Sequence, residues 1–209
     1  MSVCHVYREE NMMIINPKIM SEILNNHNQI TTRQVSELGI SRQTLSMYVK
    51  ENLLVRARRG TYILPDSIHD DMYTLSLRSE NIVFSHESAL FLNGLSDRTP
   101  FCHYITLPSG ATVPHSIRNE CQTFFIKPSL FTVGLTEIKT PLGSMVKCYN
   151  AERTVCDMLR SKRRFEIETV VRAVKNYVKG DSVNFKRLYE YSMLFKVERL
   201  LRNYLEVLQ

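Results

Sequence analysis

Apolar residues recur at helical spacing near both ends of the chain and at shorter, strand-like intervals between them. Asn16-Pro17 opens the first pattern, with Pro17 suited to an early helical position and Ile19, Ile23 and Leu24 turned inward. A second short helix pattern ends at Leu38, where Gly39 can take the left-handed turn that closes a helix. Ser41 then stands where an N-cap belongs. Leu45, Val49 and Leu53, with Tyr48 beside them, make the buried stripe of the third helix. Two β-rich runs follow, Leu53–Ala57 and Thr61–Leu64, joined by Arg58-Arg59-Gly60. Helix, tight turn, helix and basic hairpin is the layout of a winged helix-turn-helix.

Pro65-Asp66-Ser67 breaks the last of these strands, and a linker or linker helix is expected from Ile68 to Ser79 with Met72, Leu75 and Leu77 as its apolar contacts. Ile82-Val83-Phe84 is a short strand candidate. Ser85 is placed to cap a helix running through Ala89, Leu90 and Leu92 to Gly94, with Glu87 at its positive end. Extended segments recur at Tyr104–Leu107, Thr123–Ile126, Gly134–Lys139 and Met145–Tyr149, the last two flanking a hairpin-like turn at Thr140-Pro141-Leu142-Gly143. Beyond Asn150 the pattern is helical. Ile167, Val170, Val171, Val174 and Val178 fit one helix face, and Val197, Leu200, Leu201, Tyr204, Leu205 and Leu208 fit another, with Gly180-Asp181-Ser182 between helices. The expected class is α+β: a winged helix-turn-helix over residues 1–66, a linker over 67–80, and a mixed α/β domain over 81–209 that ends in a helical cluster.

Helix–Gly–helix units also occur in folds that never touch DNA, so the outer face of the third helix carries the argument. It presents Arg42, Gln43, Ser46, Met47 and Lys50, without an acid before Glu51. Arg, Gln, Ser and Lys bond base edges or phosphates. The expected DNA contacts are Arg42, Gln43, Ser46 and Lys50 in the major groove. Thr32, Arg33 and Thr44 would hold phosphates, Ser41 stands among the DNA contacts, and Arg56, Arg58 and Arg59 would reach the DNA from the wing.

The net charge of +6 is spread unevenly. Residues 1–66 hold eight Lys/Arg against six Asp/Glu, residues 67–146 five against seven, and residues 147–209 fourteen against eight. The most basic third is therefore the C-terminal one, which allows a second anionic partner there. Lys-rich outer faces of amphipathic helices are the bland alternative, and the better account of most of these charges. Five scattered cysteines (Cys4, Cys102, Cys121, Cys148, Cys156) form no Cys-x-x-Cys or Cys/His cluster, so neither a metal site nor a disulfide framework is expected. The N-terminal ten residues lack a signal peptide's apolar core, and no apolar run is long enough to span a bilayer. A cytoplasmic protein with no membrane partner is the expectation.

Three landmarks in order resemble one family. They are the winged segment ending Arg58-Arg59-Gly60-Thr61-Tyr62-Ile63-Leu64, the stretch from Ser85-His86-Glu87-Ser88 through Asn93-Gly94 to Pro100, and Tyr149-Asn150-Ala151-Glu152-Arg153-Thr154-Val155-Cys156-Asp157-Met158-Leu159-Arg160. From about Pro17 to Leu208 the chain resembles the AbiEi antitoxins of the AbiE abortive-infection system. The resemblance implies an autorepressor that binds inverted repeats in its own promoter as double-stranded DNA. It also implies a C-terminal domain that counters a cognate nucleotidyltransferase toxin in phage defence, a type IV arrangement in which a stable complex is not the rule. The antitoxin surface would then be the basic residues Arg153, Arg160, Lys162, Arg163 and Arg164. For the run Ser161–Arg164, cations complementing a helix C-terminus are the bland alternative.

Enzyme readings carry less. A nucleotidyltransferase needs paired carboxylates beyond its Gly-Ser turn, and Gly143-Ser144 is followed by Met-Val-Lys-Cys-Tyr. Glu137-Ile138-Lys139 has the acid-x-Lys form of Mg²⁺-dependent nucleases, with Asp97 as the candidate partner. Simple alternation on a strand, with Leu135, Glu137 and Lys139 on its solvent face, gives the same pattern. Asp70-Asp71, with His69, reads as a solvated helix start. Ser85 and His86 are adjacent, which points their side chains apart rather than into a triad. No enzyme, catalytic residue or cofactor is expected. A transcription regulator with a ligand-sensing C-terminal domain is the alternative function; a buried pocket with polar walls in that domain would favour it, and a convex basic surface without a pocket would favour the antitoxin.

Overall fold

Asn16 opens the first helix as its sequence predicts: its side chain accepts the backbone N–H of Lys18 at 2.9 Å, and Pro17 occupies the first helical turn. The computed structural model describes residues 15–65, 67, 70–113, 115–118, 120–180 and 182–208. Expectations placed on the first fourteen residues, on Asp66, Ile68, His69 and Asp181, and on the side chain of Leu208 lie outside the described residues. The chain divides into two compact units, parted between Thr74 and Leu75.

In the first unit, α1 (Pro17–Asn25) is followed by β1 (Gln29–Thr31), α2 (Thr32–Glu37), α3 (Arg42–Lys50), β2 (Val55–Arg58) and β3 (Thr61–Ile63). Ile19, Ile23, Ile30, Val35, Leu45 and Tyr48 centre one apolar cluster, which Leu54 and Tyr62 close from the hairpin side. Leu24, expected inward, is exposed, and Met20 is buried in its place. Val49 is only partly buried, because the stripe of α3 runs along Leu45 and Tyr48. The Tyr48 hydroxyl accepts the N–H of Asn16 at 2.9 Å. The three strands form an antiparallel sheet in the order β1-β3-β2. At three residues β1 is too short to show alternation, and His27 and Asn28, both left-handed, turn the chain into it.

Helix α4 (Asp71–Ser76) lies within the segment expected to be a linker, and the boundary between the units falls inside it. Its start corrects the expectation of a solvated acidic pair. Asp70 is buried and accepts the N–H of Tyr73 at 3.0 Å, capping the helix. Asp71 pairs with Arg58 at 2.7 Å. Tyr73 donates to the Asn26 side chain at 3.0 Å, and Thr74 donates to that of Gln29.

The second unit is built on a five-stranded mixed sheet in the order β6-β5-β4-β8-β7. Its strands are β4 (Val83–Phe84), β5 (His103–Pro108), β6 (Cys121–Ile126), β7 (Leu135–Lys139) and β8 (Met145–Tyr149). β4 runs parallel to β8 and antiparallel to β5, β5 is parallel to β6, and β7 and β8 form the expected hairpin. Helix α5 (His86–Leu92) precedes β5, and two short helices, α6 (His115–Arg118) and α7 (Pro128–Phe131), flank β6. After β8 come α8 (Ala151–Arg160), a 3₁₀ turn (Lys162–Arg164), α9 (Ile167–Lys179), α10 (Phe185–Leu194) and α11 (Glu198–Leu208). Leu90, Val155, Leu159, Val170, Val174, Leu188 and Leu201 share one core. Ile167, expected on the buried face of α9, is exposed in its first turn, and the buried stripe begins at Val170.

The second and third sequence landmarks meet inside this unit. Asn93 at the end of α5 donates to the backbone oxygens of Ala89 at 2.7 Å and Tyr149 at 2.9 Å. Asn150 caps α8 by accepting the N–H of Arg153 at 3.0 Å. Arg153 itself is wholly buried. Its Nε donates to Asp157 at 2.8 Å, and its Nη1 donates to the carbonyls of Leu130 at 3.0 Å and Val133 at 2.7 Å. The guanidinium lies 4.0 Å from the ring centre of Tyr149 and 4.1 Å from that of Phe195.

Gly134 makes room for this arrangement. Its φ is +73°, and a Cβ there would stand 2.6 Å from the Cβ of Arg153. Gly134→Ala is therefore expected to destabilise the protein by roughly 1–3 kcal/mol from backbone strain alone, more once the clash is added. Urea denaturation beside Gly110→Ala, a position with φ +92° but open space around its Cβ, separates the clash from the strain.

Candidate nucleic-acid interface

The surface of the first unit is set by how α2 and α3 are joined. Thr31 and Gln34 form a capping box at the start of α2, Gly39 turns with φ +71°, and the Ser41 hydroxyl accepts the N–H of Gln43 at 3.2 Å. Burial of Leu45 and Tyr48 then fixes the rotation of α3. Arg42, Gln43, Ser46, Met47 and Lys50 are exposed together, as their spacing requires, and Ser41 is exposed beside them. Thr44 is half-buried. The N–H of Ser41 and its neighbours at a helix start are suited to a phosphate oxygen.

Arg42 is loosely held, its Nε 3.4 Å from the Ser36 hydroxyl. Arg33 is exposed on α2 and pairs with Glu37 at 2.8 Å. Such a surface pair is worth less than about 1 kcal/mol, so a phosphate can displace it. Thr32 is half-buried, and its N–H donates to the carbonyl of Gly60 at 2.9 Å. That bond docks the tip of the hairpin onto the start of α2, with Gly60 at φ +81°.

The hairpin divides its three arginines. Arg56 and Arg59 are exposed. Arg58 lies beyond a register shift between Arg56 and Arg58 and is half-buried, with Asp71 as an ion partner at 2.7 Å. The shift supplies one extra residue, Ala57, which turns Arg58 to a different side of the hairpin from the one simple alternation predicts. Spacing in the sequence does not distinguish the three arginines.

The basic residues of the second unit also differ in placement. Arg153, expected on the antitoxin surface, is in the core and is not available to a partner. The signal for this is its spacing from Asp157: a pair four residues apart on a helix otherwise lined by Val155, Met158 and Leu159. Arg160 is exposed but bonds Asp157 at 3.3 Å. Burial pushes the Asp157 carboxyl up, and the two arginines pull it down. Lys162 is half-buried, whereas Arg163 and Arg164 are exposed, and Arg164 lies 3.9 Å above the ring of Phe124. Glu137 is exposed on edge strand β7, Asp97 is exposed in the loop after α5, and no metal-type cluster of acids, His or Cys occurs among the described residues.

Ser85 is at the cap position of α5 but makes no capping bond, which corrects the expected role. Its hydroxyl accepts from Thr106 at 2.8 Å and sits 2.9 Å from His86 Nδ1, so the two side chains meet where their adjacency was expected to point them apart. The other ring nitrogen is 3.1 Å from the Ser161 hydroxyl, and the imidazole stacks on Phe124 at 3.6 Å. Burial, with Arg160, Arg164 and Arg153 nearby, holds His86 well below the ordinary histidine value of 6.5. The folded chain thus refuses a proton that the unfolded chain accepts below pH 6.5. Stability must fall as pH drops through that value. The expected result is a denaturation midpoint that declines more steeply from pH 7 to pH 5 in the natural protein than in His86→Gln.

Residues 17–65 match the model of a family described as transcriptional regulators, AbiEi antitoxins. The match begins at the first residue of α1 and ends just past β3, so it covers every exposed residue of this surface. The crystal structure of the RV2827C protein from Mycobacterium tuberculosis is similar in fold, with a TM-score of 0.62 at 16% identity, over 90% of this chain and 76% of that one. That likeness spans both units of the chain and concerns the fold alone. Curated proteins contain no match to the sequence. Among the described residues, no helix is long and apolar enough to cross a membrane.

Proposed function

We propose that the protein is a transcriptional autorepressor and antitoxin. Its first unit acts as a winged helix-turn-helix that binds inverted repeats in the promoter of its own operon. Its second unit counters a cognate nucleotidyltransferase toxin in phage abortive infection, within the cytoplasm and without catalysis or a cofactor of its own. The observation that carries the DNA reading is the coincidence of the AbiEi family match with one exposed face, on which Arg42, Gln43, Ser46 and Lys50 stand together. Arg42 and Gln43 read base edges. Ser41, Thr44 and Arg33 bond phosphates, with Thr32 holding the wing tip in place. Arg56 and Arg59 meet the backbone, and Arg58, tied to Asp71, fixes the wing against the start of α4. For the antitoxin part, the surface is revised to Lys162, Arg163 and Arg164, with Arg160 partly engaged within the fold.

The wing gives a direct test. Removing Arg56 and Arg59 together is expected to lower affinity for every duplex and to reduce the log–log salt slope by about 0.9 for each phosphate left without its arginine. Arg58→Ala should change the slope little while loosening the hairpin. Titrations of promoter and scrambled duplexes across a range of salt concentrations measure both. A slope unchanged by the Arg56/Arg59 pair would rule out backbone contact by the wing. The antitoxin part is tested by toxin co-expression with charge reversal at Lys162, Arg163 and Arg164, which should abolish protection and leave repression intact.

A further inference from the structure

A cleft of about 370 Å³ opens on the second unit between the loop after α5 and the start of α9. That volume falls at the lower end of the roughly 300–1,000 Å³ typical of small-molecule sites. Leu90, Leu95 and Ala173 of the buried core form its floor. Arg98 from the loop, Arg164 from the 3₁₀ turn and Arg172 from α9 line its walls, and all three are exposed. Glu87 of α5 and Glu166 at the N-cap of α9 line it too.

These five charges face one space, yet none of them forms an ion pair among the described residues. The carboxylates also oppose each other, for burial and the charge of Glu166 hold the Glu87 carboxyl above its usual range. Phe101 is fully exposed at the rim, and Tyr104 and Phe165 contribute two further aromatic rings. Arg164 rests on the Phe124 ring and the Tyr104 hydroxyl bonds Glu87, whereas Arg98 and Arg172 have no anion and Glu166 no cation among the described residues, and a bare phenyl ring stands beside the apolar floor. Their complement is a ligand that has phosphates, hydrogen-bond donors and a planar ring.

We propose that this cleft binds a phosphorylated nucleoside, an activity beyond the DNA-binding and antitoxin roles given above. Arg98, Arg164 and Arg172 hold the phosphates. The base lies against Phe101 and Tyr104. Ribose hydroxyls or an exocyclic amine donate to Glu87 and Glu166. The same chemistry is offered by a free nucleotide and by the phosphorylated end of an RNA strand.

The test is calorimetric titration of the full chain with ATP, GTP, adenosine, inorganic tripolyphosphate and a 5′-triphosphorylated RNA tetranucleotide. Saturable binding of ATP or GTP is expected, with adenosine and tripolyphosphate each weaker. The double variant Arg98→Ala, Arg172→Ala should weaken the nucleotide by at least about tenfold, the size expected when charge-assisted bonds are removed. Phe101→Ala should weaken ATP by about tenfold, the worth of one stacked base, and leave tripolyphosphate unchanged. Arg42→Ala with Arg59→Ala, on the first unit, should change nothing, which excludes the DNA face as the site. Tighter binding of the RNA than of ATP assigns the cleft to a strand end, and the reverse assigns it to a free nucleotide. The proposal is overturned if neither ATP, GTP nor the RNA saturates the protein by millimolar concentration. It is equally overturned if binding persists in the Arg98/Arg172 variant or disappears in the Arg42/Arg59 one.

Discussion

Replacing Arg153 by Ala is expected to cost about 3–5 kcal/mol, a large share of the roughly 5–15 kcal/mol that keeps a domain folded. The guanidinium is wholly buried and bonds Asp157 and the carbonyls of Leu130 and Val133. Truncation strands a buried carboxylate with Arg160 alone at 3.3 Å, orphans two carbonyls and leaves a cavity between Tyr149 and Phe195. Asp157→Leu should be comparably damaging, because it strands the cation. The double variant Arg153→Met, Asp157→Leu should recover part of the loss, since neither charge is then left alone. Urea denaturation of the two single variants and the double one gives the coupling directly. Additive losses would show that the pair does not act as a unit. Arg163→Ala, fully on the surface, should stay within about 0.5 kcal/mol of the natural protein.

The same residue shows where a sequence stops being legible. Arg153 sits in the stretch Asn150–Arg160 that carries much of the AbiEi resemblance, among other arginines in the most basic third of the chain. Charge counting places it on the surface. What buries it is tertiary: the carbonyls of Leu130 in α7 and of Val133 come from before β7, and Phe195 comes from after α10. No local pattern announces partners that lie so far along the chain. Asp71 fails for the same reason, since it reads as solvated until Arg58 is brought to it.

Local physics was legible. The caps at Asn16 and Ser41, the left-handed turn at Gly39 and the β7–β8 hairpin depend on neighbours within four residues or so, and their sequences announce them. Strand β1 was not, because three residues have no period. Nor was the cleft. Arg98, Phe101 and Arg172 are ordinary singly, and only the packing of α5 against the helices after β8 gathers them. The exposed face of α3 lies between these cases. Its composition was readable from the 3.6-residue period alone, and the burial of Leu45 and Tyr48 determines which way it turns.

On that face, Arg42→Ala together with Gln43→Ala is expected to weaken binding to the protein's own promoter by roughly 2–6 kcal/mol, about 1–3 for each bidentate base contact. Both residues are exposed in the first turn of α3, the end of a recognition helix that contacts base edges. On random duplex only the phosphate attraction of Arg42 is removed, so the expected effect there is small and salt-dependent. The ratio of the two effects is therefore the measurement. Neither residue contributes a buried contact, and the Ser41 cap is untouched, so α3 should keep its helicity and the protein its denaturation midpoint. That control matters, because a loosened helix would weaken all DNA binding alike. Competition titrations of promoter and scrambled duplexes at fixed salt, with circular dichroism of the same samples, separate the alternatives. Equal weakening on both duplexes, with helicity intact, would assign Arg42 and Gln43 to the phosphate backbone. Base reading would then fall to Ser46 and Lys50, one turn further along the same face.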